Sequence, residues 1–361
     1  MKIVLLANLK ENAPHLAGAP EDAHDDLDSP HTVEAILASL RAGGHTASFL
    51  EADENAYPVL RAMRDARKVD LCFNIAEGHR AASREAQMPA ILDLLGIPYT
   101  GSGVLTQALA LDKPMTKRLL SFHELPTPSF QVFDHPDEPM DDDLQFPLFV
   151  KPSREGTGMG VSARSIVYDQ VELRARVAEI IATYRQPALV ERFVEGREVT
   201  VGLVGNLGTE PEFRYHARRP QLDRPDYERA GLRIFPPLEV DFSAYPSEES
   251  GVYTNRIKTE FADKFSYFCP AALDPDLVAE LERLTVGVFR ATGCLDVARV
   301  DFRLDAHDHD KPYILEINSL PGLSPGISDL VLEAQAIGWD HATLISAIVK
   351  EAARRYDLPY P

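Results

Sequence analysis

The feature that most restricts the fold is the alternation of short apolar runs with helix-patterned segments through the first hundred residues. Residues 3–7 form an apolar run of strand length, and the polar, acidic stretch over 8–28 has no periodicity and reads as a long loop. Ser29-Pro30 then supplies an N-cap and a proline at the first helical position. Val33, Ile36, Leu37 and Leu40 recur at helical spacing, and Gly43-Gly44 stops the helix. Further strands are expected over about 46–50 and 71–76, with a helix over 88–95 ended by Gly96. Strands alternating with helices imply a parallel sheet covered on its faces. The 361 residues are too many for one small core and correspond to two or three domains.

Beyond Lys113 the pattern changes. Leu125-Pro126-Thr127-Pro128 is a turn-rich link, and a strand over 146–150 runs into Lys151-Pro152 and a glycine-rich stretch over 156–160. A helix is expected over 169–184 and strands over 188–194 and 198–204. Residues 207–260 are rich in proline, charge and aromatics and resist assignment. A last pair of strands, 298–304 and 313–318, is joined by polar residues, and a helical tail over 329–356 closes the sequence.

That strand pair carries the strongest chemical signal. Side chains alternate across a strand, so Arg299, Asp301 and Arg303 share one face and Val300, Phe302 and Leu304 the other. On the partner strand Glu316 and Asn318 share a face, with Leu315 and Ile317 opposite. If the apolar faces coincide, Asp301, Glu316 and Asn318 converge, an oxygen set suited to Mg²⁺ together with substrate phosphates. A hairpin with a solvated polar face is the competing reading. In Lys151-Pro-Ser-Arg-Glu-Gly-Thr-Gly-Met-Gly160, a lysine at a strand end precedes three glycines, which can set an ammonium and backbone N–H groups against phosphates. A flexible turn would look the same. Glu191 and Glu198 flank a turn between two apolar runs and can accept hydrogen bonds from a nucleoside, or simply form a charged hairpin.

Composition excludes several classes. The 56 acidic residues against 37 basic ones leave a net charge of −19, which argues against a nucleic-acid-binding surface. The opening apolar run is too short for a signal peptide or a bilayer span, so no membrane association is expected. Three widely spaced cysteines give neither a disulfide framework nor a zinc pattern. The expectation is a cytoplasmic protein.

These signals, in this order and with Ala108-Leu-Ala-Leu-Asp-Lys113 upstream, resemble the ATP-grasp superfamily, and within it the D-alanine–D-alanine ligases. The similarity also runs through Leu95-Gly-Ile-Pro-Tyr-Thr-Gly-Ser-Gly-Val-Leu105, Tyr267-Phe-Cys-Pro-Ala271 and Leu315-Glu-Ile-Asn-Ser-Leu-Pro-Gly322. The resemblance implies an α/β ATP-grasp fold with a Rossmann-like parallel-sheet domain over 1–104, a central subdomain over 105–189 and a carboxy-terminal subdomain over 190–361. It implies that Lys113 and Lys151 bind ATP phosphates under a loop of Glu155, Gly156, Thr157, Gly158 and Gly160. Glu191 and Glu198 would hold the adenosine beside Phe193 and Val194. Asp301, Glu316 and Asn318 would bind two Mg²⁺ ions, with Mn²⁺ as a substitute. Arg299 and the Gly322 N–H would stabilise the transferring phosphoryl group and the oxyanion, completing with Lys151 the catalytic set. A carboxylate and an amine would be the substrates, joined through an acyl phosphate, and a homodimer is implied.

The substrate half departs from the family pattern. The Gly-rich acidic segment that holds the first ammonium is missing, and the Gly-Ser-Ser-Val-Gly loop has become Gly156-Thr157-Gly158-Met159-Gly160. The His-Gly and Glu-Asp-Gly pieces appear as Glu77-Gly78-His79 and Arg84-Glu85-Ala86. No Ser-Leu pair follows Gly322, and 207–260 replaces a tyrosine–lysine region. A ligase with substrates other than two D-alanines is therefore expected, with D-alanine–D-alanine ligase itself and a nucleotide-binding protein without ligase activity as the alternatives. Arg84, Glu85 and Arg218 are the substrate candidates; for Arg84-Glu85 a surface ion pair at a helix start is the competing reading.

Overall fold

In the amino-terminal lobe, β1 (Lys2–Ala7), β2 (Thr46–Glu51) and β3 (Leu71–Asn74) pair in parallel in the order β2-β1-β3. The period of two along β1 divides its side chains between two cores. Ile3, Leu5 and Ala7 pack with Val33, Ile36, Leu37 and Leu40 of α1 (Pro30–Ala42). Val4 and Leu6 face the other way, against Leu60 of α2 (Ala56–Asp65) and Leu92 of α3 (Gln87–Leu95). The Ser29 hydroxyl caps α1 by accepting the Thr32 N–H at 3.2 Å. Gly96, at φ 65°, ends α3 in the left-handed conformation. The computed structural model describes residues 1–14, 18–208, 227–228, 230–242 and 266–360.

Two helices bridge to the rest, α4 (Val104–Leu111) and α5 (Lys113–Phe122). Their Ala110 and Leu120, with Leu125, enter the core of the carboxy-terminal sheet. Residues 104–125 thus pack away from the central sheet with which the sequence grouped them. That sheet contains β4 (Phe130–Phe133), β5 (Leu148–Pro152), β6 (Ile166–Val167) and β7 (Ala188–Arg192) in the antiparallel order β4-β7-β5-β6. It is covered by α6 (Gln170–Tyr184) through Leu173, Val177 and Ile180. The break expected at 189 falls inside β7, because pairing with β4 and β5 continues to Arg192.

The third sheet has β8 (Gly196–Gly205), β9 (Leu232–Ile234), β10 (Leu238–Val240), β11 (Tyr267–Phe268), β12 (Val297–Asp305) and β13 (Lys311–Asn318). Its order is β11-β10-β8-β12-β13, with β9 also on β8. α7 (Pro275–Thr292) packs Leu281, Leu284 and Val288 against it. The expected single helical tail is two helices, α8 (Asp329–Ala336) and α9 (His341–Arg355). Gly338 takes φ 82° between them, and Asp340 caps α9 by accepting the Thr343 N–H at 2.7 Å. α9 returns to the amino-terminal lobe, where Leu344, Ile345 and Ile348 join the core of α1. Among the described residues no helix is long and apolar enough to cross a membrane, and all three cysteines are unpaired.

Candidate active site

The three sheets surround one cavity of about 540 Å³. Its floor is the β12–β13 hairpin. Asp301 pairs across the strands with Glu316, and Arg299 with Asn318, so the four polar side chains share the face turned to the cavity. The expected parity holds for these residues but fails for Leu315. Phe302 pairs with Ile314, leaving Leu315 as an unpaired bulge between Ile314 and Glu316. Leu315 therefore lines the cavity, while Ile314 stays in the core and Ile317, also in the core, borders the cavity.

Charge on this floor is arranged in closed pairs. The Arg299 guanidinium donates to both Asp301 oxygens at 2.8 and 2.9 Å, and its remaining nitrogen lies 3.2 Å from Asp329. Burial would lower the Arg299 pKa, but Asp301 and Asp329 raise it well above the ordinary value. Lys113 is set at the first position of α5 by the Asp112 N-cap; its ammonium donates to the Glu155 carbonyl at 2.5 Å and lies 3.1 Å from Glu316. Burial pushes Glu316 up, yet Lys113 and Lys151 prevail and hold it at about 2. Asn318 donates to Asp301 at 2.9 Å. Two carboxylates and one amide fit Mg²⁺ by donor chemistry, since that ion takes one or two carboxylates and completes its shell with phosphate oxygens and water.

Behind Lys151 the structure reveals a residue that sequence reasoning missed. Lys117, one turn after Lys113 on α5, is fully buried, donates to Thr127 at 2.8 Å and lies 2.7 Å from Glu191. Lys151 meets the other Glu191 oxygen at 2.8 Å. Burial alone would raise Glu191, but the two ammoniums lower it. Glu191, 3% exposed, lines the cavity and spans both lysines. The Asp-Lys-x-x-x-Lys spacing was the available signal. Glu198 lines the cavity and lies 2.8 Å from Arg303. Phe193 and Val194 form, with Phe149, Met159 and Leu315, an apolar slot; the Phe149 and Phe193 rings stack with centroids 6.3 Å apart. Such a slot suits a planar base.

Gly156, Thr157 and Gly158 cover the cavity; Gly160 does not line it. Its N–H donates to Asp22 at 2.8 Å, and a Cβ there would lie 2.6 Å from Pro152, so only glycine allows the loop to fold onto β5. The Glu155 carboxylate turns away from the phosphate side to Gln186 at 2.6 Å and Arg84 at 3.3 Å. Gly322 lines the cavity, and a Cβ there would reach the Ser328 hydroxyl at 2.8 Å. A buried carboxyl lies behind Arg299: Glu333 of α8 is fully enclosed, has neither oxygen hydrogen-bonded among the described residues, and fits only because residue 202 is glycine. Burial raises its pKa well above the usual carboxylate range.

The amino-terminal wall differs. Arg84 is buried rather than at the surface, overturning the surface-pair reading. It lies 2.7 Å from Asp26 and donates to the Arg154 carbonyl at 3.1 Å, so it stands behind the cavity lining as a clasp between lobes. Glu85, 8% exposed, does line the cavity, together with Asp28 and Glu77. None of the three side chains has a partner among the described residues. Burial, with neighbouring carboxylates, raises Asp28 to about 7 and, against the pull of Arg84, Glu77 well above the usual range; burial likewise raises Glu85 to about 7 against Arg84 and Lys113. Arg218 lies outside the described residues.

A nucleotide-sized cleft between two antiparallel sheets, floored by paired arginine, lysine and carboxylate side chains and roofed by a glycine loop, agrees with the expected ATP-grasp, ATP-dependent ligase class, and comparison with known proteins places the chain there. The chain matches the family model for the D-ala D-ala ligase C-terminus over residues 119–229 and 238–350. It is 33% identical over 327 residues to the uncharacterized protein y4sG of Sinorhizobium fredii, covering 90% of this chain and 88% of that one. It is 34% identical over 283 residues to D-alanine–D-alanine ligase of Bordetella petrii, covering 78% and 76%. The ATP-complexed D-alanine–D-alanine ligase of Bacillus anthracis shares the fold with a TM-score of 0.68 at 19% identity over 99% of both chains. The chain belongs to the D-alanine–D-alanine ligase family.

Proposed function

We propose that the protein joins a carboxylate to an amine through an acyl phosphate, and that its substrates are not two D-alanines. The observation that carries the ligase chemistry is the convergence of Lys113, Lys151, Arg299, Asp301, Glu316 and Asn318 on one cavity. Asp301, Glu316 and Asn318 would hold two Mg²⁺ ions, or Mn²⁺ in their place, which when bound neutralise charge on the ATP phosphates. Lys113 and Lys151 bind those phosphates, the slot at Phe193 and Val194 takes the adenine, and Glu198 takes the ribose.

The substrate carboxylate attacks the γ-phosphorus and the bond to ADP breaks. The amine nitrogen then attacks the acyl carbon, phosphate leaves with the electron pair, and the nitrogen gives up a proton. Arg299 neutralises the phosphoryl oxygens in the first step and, with the Gly322 N–H, the oxyanion in the second. Gly156–Gly158 hold water away from the acyl phosphate. A homodimer is the expected assembly.

The substrate half of the proposal rests on charge. Asp329 occupies one side of Arg299, and Asp28, Glu77 and Glu85 face the cavity from the amino-terminal lobe. An acceptor presenting a carboxylate there would meet carboxylates, at a cost that scales steeply in a buried site. The test is phosphate release from MgATP over D- and L-amino acids and simple amines, singly and in pairs, with products identified by mass. Phosphate release coupled to a new amide other than D-Ala-D-Ala is expected. Efficient D-Ala-D-Ala formation from D-alanine alone would overturn the substrate half. ATP binding with no turnover of any pair would make the protein a nucleotide-binding protein.

A further inference from the structure

Around the cavity, opposite charges are matched with one exception. Lys113 faces Glu316, Lys151 faces Glu191, Arg299 faces Asp301 and Asp329, and Arg303 faces Glu198. Even on the amino-terminal wall Asp26 has Arg84 and Asp25 has Lys10. Asp28, Glu77 and Glu85 line the cavity without forming an ion pair among the described residues, although Arg84 acts on Glu77 and Glu85 at longer range and Lys113 on Glu85. Glu85 is more than nine-tenths buried, makes no hydrogen bond or ion pair among the described residues and lies open to the cavity, so a cation on a ligand would complete it. A metal ion does not suit the place: among the described residues no three acidic, histidine or cysteine side chains lie close enough to hold one. Carboxyls that do not converge as a metal-ligand set fit positive charge spread along a chain.

We propose that the amino-terminal wall formed by Asp28, Glu77 and Glu85 binds a diamine, one ammonium held on the wall while the other nitrogen, as the free amine, is the acyl acceptor. The inference deepens the ligase reading and uses it for the second half only. The wall reads the charge of the held nitrogen, and the chain between the two nitrogens sets how far the nucleophile reaches toward Arg299. A carboxylate-bearing acceptor would be rejected by the same residues, because burying like charges costs more than one hydrogen bond returns. The unpartnered carboxyls also make the empty wall unfavourable for the fold, a common cost of a binding site that only its ligand completes.

The experiment is calorimetric titration of the full chain, loaded with Mg²⁺ and a non-hydrolysable ATP analogue so that the metal carboxylates are occupied. The probes are 1,4-diaminobutane, 1-aminobutane and D-alanine at constant ionic strength near physiological, which suppresses loose attraction to a chain of net charge −19. One diamine is expected to bind per chain, about tenfold tighter than 1-aminobutane, with D-alanine undetected. Glu85→Gln and Asp28→Asn should each weaken the diamine at least about fivefold without affecting the analogue, while Glu54→Gln should change neither. Melting of each variant reports folding, and Glu85→Gln is expected to melt higher than the wild type. Equal binding of diamine and monoamine, or diamine binding indifferent to both substitutions, would sink the proposal. Diamine binding without amide formation in the turnover assay would remove the ligase reading and leave the diamine site standing.

Discussion

On the carboxy-terminal side of the cleft Arg299 is gripped by Asp301 and Asp329, and Lys113 by Glu316; on the amino-terminal side Asp28, Glu77 and Glu85 face the same space with no ion pair among the described residues. The first side is complete before anything binds. Its charges hold one another in place, and on the proposed ligase reading little reorganisation would remain for phosphoryl transfer. The second side is incomplete, and its acids sit at raised pKa values because burial, with repulsion from neighbouring carboxyls, outweighs what Arg84 and Lys113 return. The generic chemistry is built from pairs the protein makes with itself, and the specificity is left for the substrate to finish.

Breaking the self-paired side should have the largest effects. Arg299→Ala removes the cation nearest the developing charge and leaves Asp301 and Asp329 together; we expect kcat to fall by about 10³-fold, read by single-turnover phosphate release. Lys117→Met is the next largest. It leaves Glu191 buried against Lys151 alone, with a loss of about 3 kcal/mol in stability by urea titration, although Lys117 does not line the cavity. Glu316→Gln keeps the shape and removes one charge. It should lower kcat by about 10²-fold and raise the Mg²⁺ concentration needed for half-maximal rate, and unchanged turnover would exclude Glu316 as a metal ligand.

The same two sides differ in how far they could be read from the sequence. The β12–β13 floor was legible because strand parity is local, and Asp301, Glu316 and Asn318 do share a face. Leu315 was not, since nothing in the sequence marks a bulge, and a single bulge reverses parity. α1 was legible from Ser29, Pro30 and Gly43, each acting within one turn. The gap between α8 and α9 was marked by Gly338 and Asp340 and passed over. The partner of Arg84 was beyond reach, because Asp26 lies 58 positions away and only the tertiary folding of the amino-terminal lobe brings them together. For the same reason the sequence could nominate Glu85 but not see that Asp28 and Glu77 join it on one wall. Contacts made at long sequence separation leave no periodicity.

The smallest effect sharpens the comparison most, because it has opposite signs on the two sides. Glu85 carries a folded-state pKa of about 7 against an ordinary 4.5, so the folded chain holds that proton more tightly than the unfolded one. Its contribution is fully present below about pH 4.5 and is lost as the pH rises through 7. Glu316, held at about 2, contributes above pH 4.5 and loses that only as the pH falls toward 2. Between pH 4.5 and 8 the Glu316 contribution is therefore constant, and Glu85→Gln isolates the wall. Relative to wild type the variant should gain on the order of 2 kcal/mol over that window, with the curves separating as pH rises. Urea titrations at half-unit intervals measure it. A difference that grows toward acid pH would mean that Glu85 is stabilised as a carboxylate, and that its wall has a cation of its own.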